Sequence, residues 1–281
     1  MQTLTEKRVF GAKTGVTDIF VATDSGVAAV TVSAAQIGAF GLASREPATV
    51  VGTDDGVLAA DIDAADRRAD VADPTFAAIG GDTIDAVSAV ALTPGGLIVA
   101  DGNGVVYRGE HAETVTDPPA WERLGATDGV WAIDVGLLAA ADGVYRIDDD
   151  GLTNTGLSDV RAVTGVGQPL AATDDGLFRL GNGWQSIANG AVRAVAADGH
   201  GHAHAVGEAG MLVRAAEDGA WTTTTSPVEA PIVDLAADRG IVVGVAEDGT
   251  LCATAGDGWR HQRLGLPGAR GVAIGGGADG S

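Results

Sequence analysis

Three histidines alternate in the stretch HGHAH, at His200, His202 and His204. On an extended strand alternate side chains share one face, about 6.6 Å apart. Three imidazoles so placed suit zinc, copper or nickel. However, His200 sits in a glycine-rich turn, and no Cys or carboxylate cluster lies nearby in sequence to complete a ligand set. The acidic runs DDDG (148–151) and TDDG (53–56 and 173–176) invite calcium. A calcium loop needs acids at alternating positions and a distal bidentate Glu, whereas consecutive Asp before Gly is what a hairpin turn wants. A third candidate is the set Arg108, Arg146, Arg179 and Arg214, which fall at one point of four successive similar stretches. A ring of guanidiniums would hold an anion; recurrence of this kind is also the pattern of an ion pair repeated unit by unit. Residues 11–15, GAKTG, lack the glycine spacing of a phosphate loop. Neither a Gly-x-Ser-x-Gly elbow nor a His-Glu-x-x-His pair occurs. Cys252 stands alone, in TLCAT, where other copies carry apolar residues, and reads as a small buried hydrophobe. The expectation is no catalytic residue, no bound cofactor and no metal.

What would position these groups is a repeat. LAATDDGLFRLGNGW at 170–184 contains two apolar runs around an Asp-Asp-Gly turn, then a second Gly turn and a Trp. Similar stretches recur around Gly26, Gly56, Gly104, Gly143, Gly176, Gly210 and Gly249, at spacings of 30, 48, 39, 33, 34 and 39. Periods of this size mark stacked supersecondary units. Residues 191–225 divide into four short runs rich in Ala, Val and Thr, each bounded by Gly or Asp-Gly. Such runs read as strands joined by hairpins. Four strands per unit argue for an all-β fold, a β-propeller. Seven blades are expected, with six as the alternative.

The side chains agree. The first run of each unit is made of small residues, as in RAVAAD, VDLAAD and SAVALT, which suits crowding around a central channel. Trp121, Trp184, Trp221 and Trp259 open the fourth run of their copies and read as packing between blades. The tail ARGVAIGGG (269–277) resembles a first run, while the chain begins with a second run, IFVATD (19–24). The C-terminus should therefore supply the inner strand of the first blade. The count is least regular at 43–85, where a first run is hard to find. One domain over 1–281 is expected, with 278–281 as a loose tail.

The net charge is −21, with 2 Lys, 15 Arg and 29 Asp among 38 acids. Abundant Asp and scarce Lys point to adaptation to concentrated salt, and the acidity argues against nucleic acid. The longest uncharged run, 25–44, holds three Gly, a Gln and several hydroxyls, and reads as two strands rather than a membrane span. Residues 1–15 lack the apolar core of a signal peptide. A cytoplasmic monomer away from membranes is expected.

Several stretches together resemble a β-propeller family of haloarchaea: EKRVFG (6–11), IFVATDSGV (19–27), GAFGLA (38–43), ADGVYRI (141–147), PLAATDDGLFRLGNGW (169–184) and EDGTLCATAGDGWR (247–260). The resemblance covers most of the chain and departs from it at 45–85. It implies a propeller and a halophilic archaeal source; it implies no activity and transfers no functional residue. More distantly, AEDGAWTTTT and AGDGWRHQ look like degenerate Asp-box turns of sialidase-type propellers, which are folding turns without chemistry. The reading that follows is a non-catalytic scaffold presenting a propeller face to a protein partner. The alternatives are an enzyme of hydrolase or lyase type at the channel mouth, or a metal-binding module. His200, His202, Trp131 and the segment 61–80 break the repeat and are where a site would show.

Overall fold

The computed structural model describes residues 16–275 except 34–35, 46–49, 54–56, 61–64, 69–75, 79–83, 85, 94–95, 110–119, 209 and 255–257. The described residues form seven four-stranded antiparallel sheets and no helix. Each sheet is a blade whose strands follow one another outward. Blade six shows the pattern, with Val192–Ala197 innermost, then Ala203–Gly207, Gly210–Arg214 and Trp221–Thr224. The inner strands touch in sequence: Gly271–Ile274, Val50–Thr53, Val87–Thr93, Val130–Asp134, Val160–Thr164, Val192–Ala197, Ile232–Asp238, and again Gly271–Ile274. The ring is closed. Among the described residues no helix is long and apolar enough to cross a membrane. The tail at 278–281 lies outside the described residues.

The strands read as unbroken apolar runs for a physical reason. A blade is covered on both faces by its neighbours, so its second strand has no solvent side and no alternation. Leu137–Ala140 and Leu170–Thr173 are buried at every position. The cores lie between blades. Leu170, Ala172 and Leu177 of blade five meet Val192, Val195 and Ala205 of blade six, with Trp221 against them. Trp184 packs likewise between blades four and five, and Trp259 between six and seven. The indole N–H of Trp184 donates to Thr155 Oγ1 of the preceding blade at 3.3 Å.

The repeated glycine has a cause beyond the turn itself. At Gly26, Gly104, Gly176 and Gly249 a Cβ would land on a backbone carbonyl oxygen at the end of the fourth strand: Ser44, Thr127, Ala188 and Leu266 respectively. At Gly249 the backbone is also left-handed, with φ +77°. Gly249→Ala should therefore destabilise the protein by about 2–4 kcal/mol, through strain and overpacking together. Thermal melting in constant salt checks this; a loss below 1 kcal/mol would mean that the outer strand simply moves aside.

Blade two corrects one equivalence in the sequence reading. Gly56 lies outside the described residues; the strands on either side of its place in the sequence are Val50–Thr53, the inner one, and Val57–Ala60, the second. In the other blades the matching glycine opens the third strand. The third strand here is Ala65–Arg68, so a count taken from position 56 starts one strand early, which accounts for the uneven spacings of 30 and 48. Asp-Gly suits either hairpin, so turn chemistry alone does not say which one it closes.

Closure follows the expected course. The strand Gly271–Ile274 pairs with Val16–Thr23, with Ile19 opposite Ile274 and Ala22 opposite Gly271. Arg270 donates its amide to Ala22 O at 3.0 Å and a guanidinium N–H to Asp24 Oδ1 at 2.9 Å. The first and last described strands are sewn into one blade.

Candidate functional site

Five inner strands share a defect. The register against the second strand slips between Val87 and Ala89, Val130 and Ala132, Val160 and Ala162, Val192 and Ala194, and Ile232 and Asp234. One residue is left out of the ladder each time, and a bulge re-aims that residue's side chain. The bulged residues are Ser88, Trp131, Arg161, Arg193 and Val233. Arg270, just before Gly271, holds the same place in blade one. All lie where the chain enters its inner strand, so they ring one mouth of the channel. The turns between second and third strands end on that face too, bringing Asp174 to Arg161 and Asp24 to Arg270.

Three members of this ring are unlike the rest. Arg161 forms a fork with Asp174, with Nε to Oδ1 at 2.9 Å and Nη2 to Oδ2 at 2.5 Å. That pairing holds the Asp174 carboxyl below its usual range and raises the guanidinium. The Arg161 carbon Cζ also stands 5.7 Å from the centroid of the Trp131 ring, a cation–π distance. Trp131 is 52% exposed and, with Val135, one of two large apolar side chains in the open among the described residues. Arg193 is exposed and carries no ion pair among the described residues. Its turn counterpart is Glu208, which follows Gly207, the partner of Val192 in the ladder.

Two acids sit inside the ring rather than in turns. Asp234 accepts the amide of Val272, on the next inner strand, at 2.8 Å and that of Leu235 at 2.9 Å. Desolvation by the surrounding protein pushes its carboxyl up to about 7 against those two bonds, although its side chain is only partly buried. Asp134 reaches across blades in the same way, accepting the amide of Gly165 at 3.1 Å, and burial raises its carboxyl as well. These acids fasten neighbouring blades. Sequence reasoning missed them because it assigned the Asp residues to turns.

The histidines do not converge. His200 and His202 lie in a turn whose Asp198 carboxylate accepts both their amides, at 2.8 and 3.1 Å, and faces His202 Nδ1 at 2.9 Å. His204 turns the other way, into the interface with blade seven. Its ring meets Trp259 edge-on at 6.0 Å, and its Nδ1 is buried without a partner. Among the described residues no group of three or more His, Cys, Asp or Glu is placed to hold a metal ion. Cys252 is buried, with its thiol pushed up to about 12 by desolvation and donating to Gly244 O at 3.4 Å.

Burial lowers the His204 imidazole from 6.5 to about 4, with His202 adding a smaller push. The unfolded ring therefore binds its proton at a higher pH than the folded one. The neutral ring's stabilisation is complete above pH 6.5 and is lost as the pH falls toward 4, about 3 kcal/mol in all. Asp234 works oppositely: its neutral form favours the fold below pH 3.8, and that contribution is lost as the pH rises to about 7. His204→Leu should therefore gain on the parent protein as the pH is lowered from 7 to 4.5. Melting curves of the two at both values test this, and a pH-independent difference would refute it.

The four equivalent arginines also stay apart. Arg146 pairs with Asp148 at 2.7 Å within its blade, and Arg108 crosses to the next blade to reach the Asp148 carbonyl at 2.9 Å and Asp149 at 3.7 Å. Arg179 instead meets the neutral Gln185, at 3.1 Å, and Arg214 the carbonyl of Gly201, at 2.6 Å. Turn carboxylates thus serve two of the four. Arg214 and His202 line one cleft on the opposite mouth, between blades five and six, of about 20 Å³. That is room for about one water molecule.

A family model described as Beta-prop_HVO_0234:-like, beta propeller, matches residues 3–275. A search of curated proteins finds no match. Among solved structures the fold is similar to the WD40 propeller domain of Doa1, with a TM-score of 0.64 and 14% identity over 80% of this chain and 85% of that one. A chain of a nidogen/laminin complex is similar at TM-score 0.59 and 9% identity, covering 93% and 99%. PorZ of the type-IX secretion system of Porphyromonas gingivalis is similar at TM-score 0.50 and 16% identity over 66% of this chain, which spans only 29% of the PorZ chain. At these identities the likeness is one of fold.

Proposed function

The chain belongs to the HVO_0234-like β-propeller family, and from that premise we propose that it is a non-catalytic scaffold docking a protein partner at the channel mouth that carries Trp131. Propellers serve generally as interaction scaffolds. The single observation that carries the reading is the exposure of Trp131 at a bulge position. A large ring left in the open on a rigid scaffold, flanked by arginine, has the composition of an interface hot spot. Catalysis has less support: both oxygens of Asp234 are occupied by backbone amides. Cys252 is buried and protonated at neutral pH. The same reading makes the protein a monomer of a salty cytoplasm, its acidic surface kept for hydration rather than for binding nucleic acid.

The test is capture of a partner from lysate at native salt, comparing the parent protein with Trp131→Ala. Loss of Trp131 should weaken capture at least about 30-fold, with melting temperature nearly unchanged because the ring is exposed. Equal capture by both proteins would remove this mouth as the docking face.

A further inference from the structure

We propose that the partner segment seated on this mouth is acidic and apolar together: a carboxylate received by Arg193, with an adjoining apolar side chain laid on Trp131. The inference rests on the docking reading above and names the chemistry of what docks.

Arg161, Arg193 and Arg270 occupy the same position in blades five, six and one. Two of them are satisfied by the acid of their own turn, Asp174 at 2.5 Å and Asp24 at 2.9 Å. In blade six the turn offers Glu208 instead, and no ion pair forms between it and Arg193 among the described residues. A planar guanidinium with its donors free is built to take a carboxylate two-pronged. Arg179 and Arg214 also lack an acid, but Gln185 and the Gly201 carbonyl take their donors; Arg193 differs from its equivalents Arg161 and Arg270 in having no such partner among the described residues.

Trp131 is already supplied with a cation from within the chain: Arg161 stands over the ring, 5.7 Å from its centroid. What remains exposed is apolar ring surface, and Arg161 is itself committed to Asp174. From Trp131 to Arg193 the mouth thus offers an apolar contact, one covered cation and one free cation, across three consecutive blades. A short extended segment matches that order.

The surroundings make the proposal testable through salt. Asp159, Asp174 and Glu208 stand on the same face, and the whole molecule is strongly negative. An acidic segment is repelled at long range in dilute buffer. At molar salt the screening length falls to about 3 Å, so that repulsion vanishes. The contact with Arg193 and the burial on Trp131 survive. Binding should therefore strengthen with salt, the reverse of ordinary opposite-charge association.

The probes are three blocked peptides: Gly-Glu-Leu-Glu-Gly, its Gln-Leu-Gln counterpart and its Lys-Leu-Lys counterpart. Each is titrated against the folded, isotope-labelled protein in 0.2 and 2 M KCl, following the indole N–H of Trp131 and the Nε–H of Arg193. The Glu peptide should move both signals and bind more tightly at 2 M. Arg193→Gln should lower its affinity roughly three- to tenfold, leave the Gln peptide's affinity unchanged, and leave the melting temperature near that of the parent. Equal binding of all three peptides, preference for the Lys peptide, weaker binding of the Glu peptide at 2 M, or no peptide moving either signal would each overturn the acidic assignment. Capture of the natural partner separates the two readings. Loss with Trp131→Ala but not with Arg193→Gln would leave the docking face standing and remove only its acidic partner.

Discussion

Deleting residues 270–281 should destabilise the whole ring cooperatively, not one blade. The lost strand carries Val272, Ala273 and Ile274, each buried to within a tenth of its surface. Burial of the valine and isoleucine alone contributes roughly 4 kcal/mol. Their removal also uncovers Ile19 and Val21, which are fully buried against that strand. Asp234 loses the Val272 amide as well, leaving a carboxylate inside the ring with one partner fewer. The total, about 6 kcal/mol or more, rivals the stability of an ordinary domain. Melting temperature should fall by roughly 10–20 °C and the transition should stay single, because each blade buries both faces against neighbours and cannot hold alone. Deleting only 276–281, beyond the strand, is the control and should change little. Calorimetry in fixed salt decides: if the longer truncation melts like the intact protein, the ring is not held by that strand.

How far the fold is legible in the residues can be followed strand by strand. Small apolar runs between Asp-Gly turns announce the blades, because a propeller strand covered on both sides needs compact side chains and a tight hairpin needs positive φ. The closing strand is legible for the same reason: ARGVAI looks like VRAVAA. Blade two misleads because position 56 precedes its second strand, Val57–Ala60, rather than its third, Ala65–Arg68. The mouth is harder to see, for a physical reason. A bulge is a relation between two strands, and no residue type announces it. One signal was nonetheless present: DVRAV, AVRAV and GARGV set an Arg at one place of three first runs, and GVWAI sets Trp131 there in a fourth. Aligning first runs rather than third runs would have pointed to Arg161, Arg193 and Arg270. The eye goes instead to Arg108, Arg146, Arg179 and Arg214, whose regular spacing reflects their place on the third strands. Asp134 and Asp234 stay hidden because an Asp in an apolar run looks like noise until its amide partner on the next blade is known.

Stability should climb with salt, and the reason lies in arithmetic that no local contact can offset. There are 38 acids and 17 Lys plus Arg, so even complete pairing leaves 21 acids over. The pairs that do form, such as Arg146 with Asp148 and Arg161 with Asp174, lie at exposed positions. Such pairs contribute at most about 1 kcal/mol each. Salt weakens both these attractions and the repulsion among the surplus, and the surplus is the larger set. The unfolded chain spreads the same charge over a greater volume, so dilute buffer favours unfolding. Between 0.1 and 1 M the screening length falls from about 10 to 3 Å, which removes repulsion between all but adjacent acids. Melting temperature should therefore rise by something on the order of 10 °C over that range in KCl. Beyond 1 M screening has little left to do, and any further rise belongs to stronger burial of the Ala- and Val-rich cores; sulfate should extend it more than chloride does. Changing four exposed, unpaired acids to Asn or Gln, away from Trp131 and Arg193, should flatten the first part of the curve and leave the second part intact. A melting temperature that does not move between 0.1 and 1 M KCl would show that the acids do not oppose folding, and their number would then have to be explained by a basic surface that meets them.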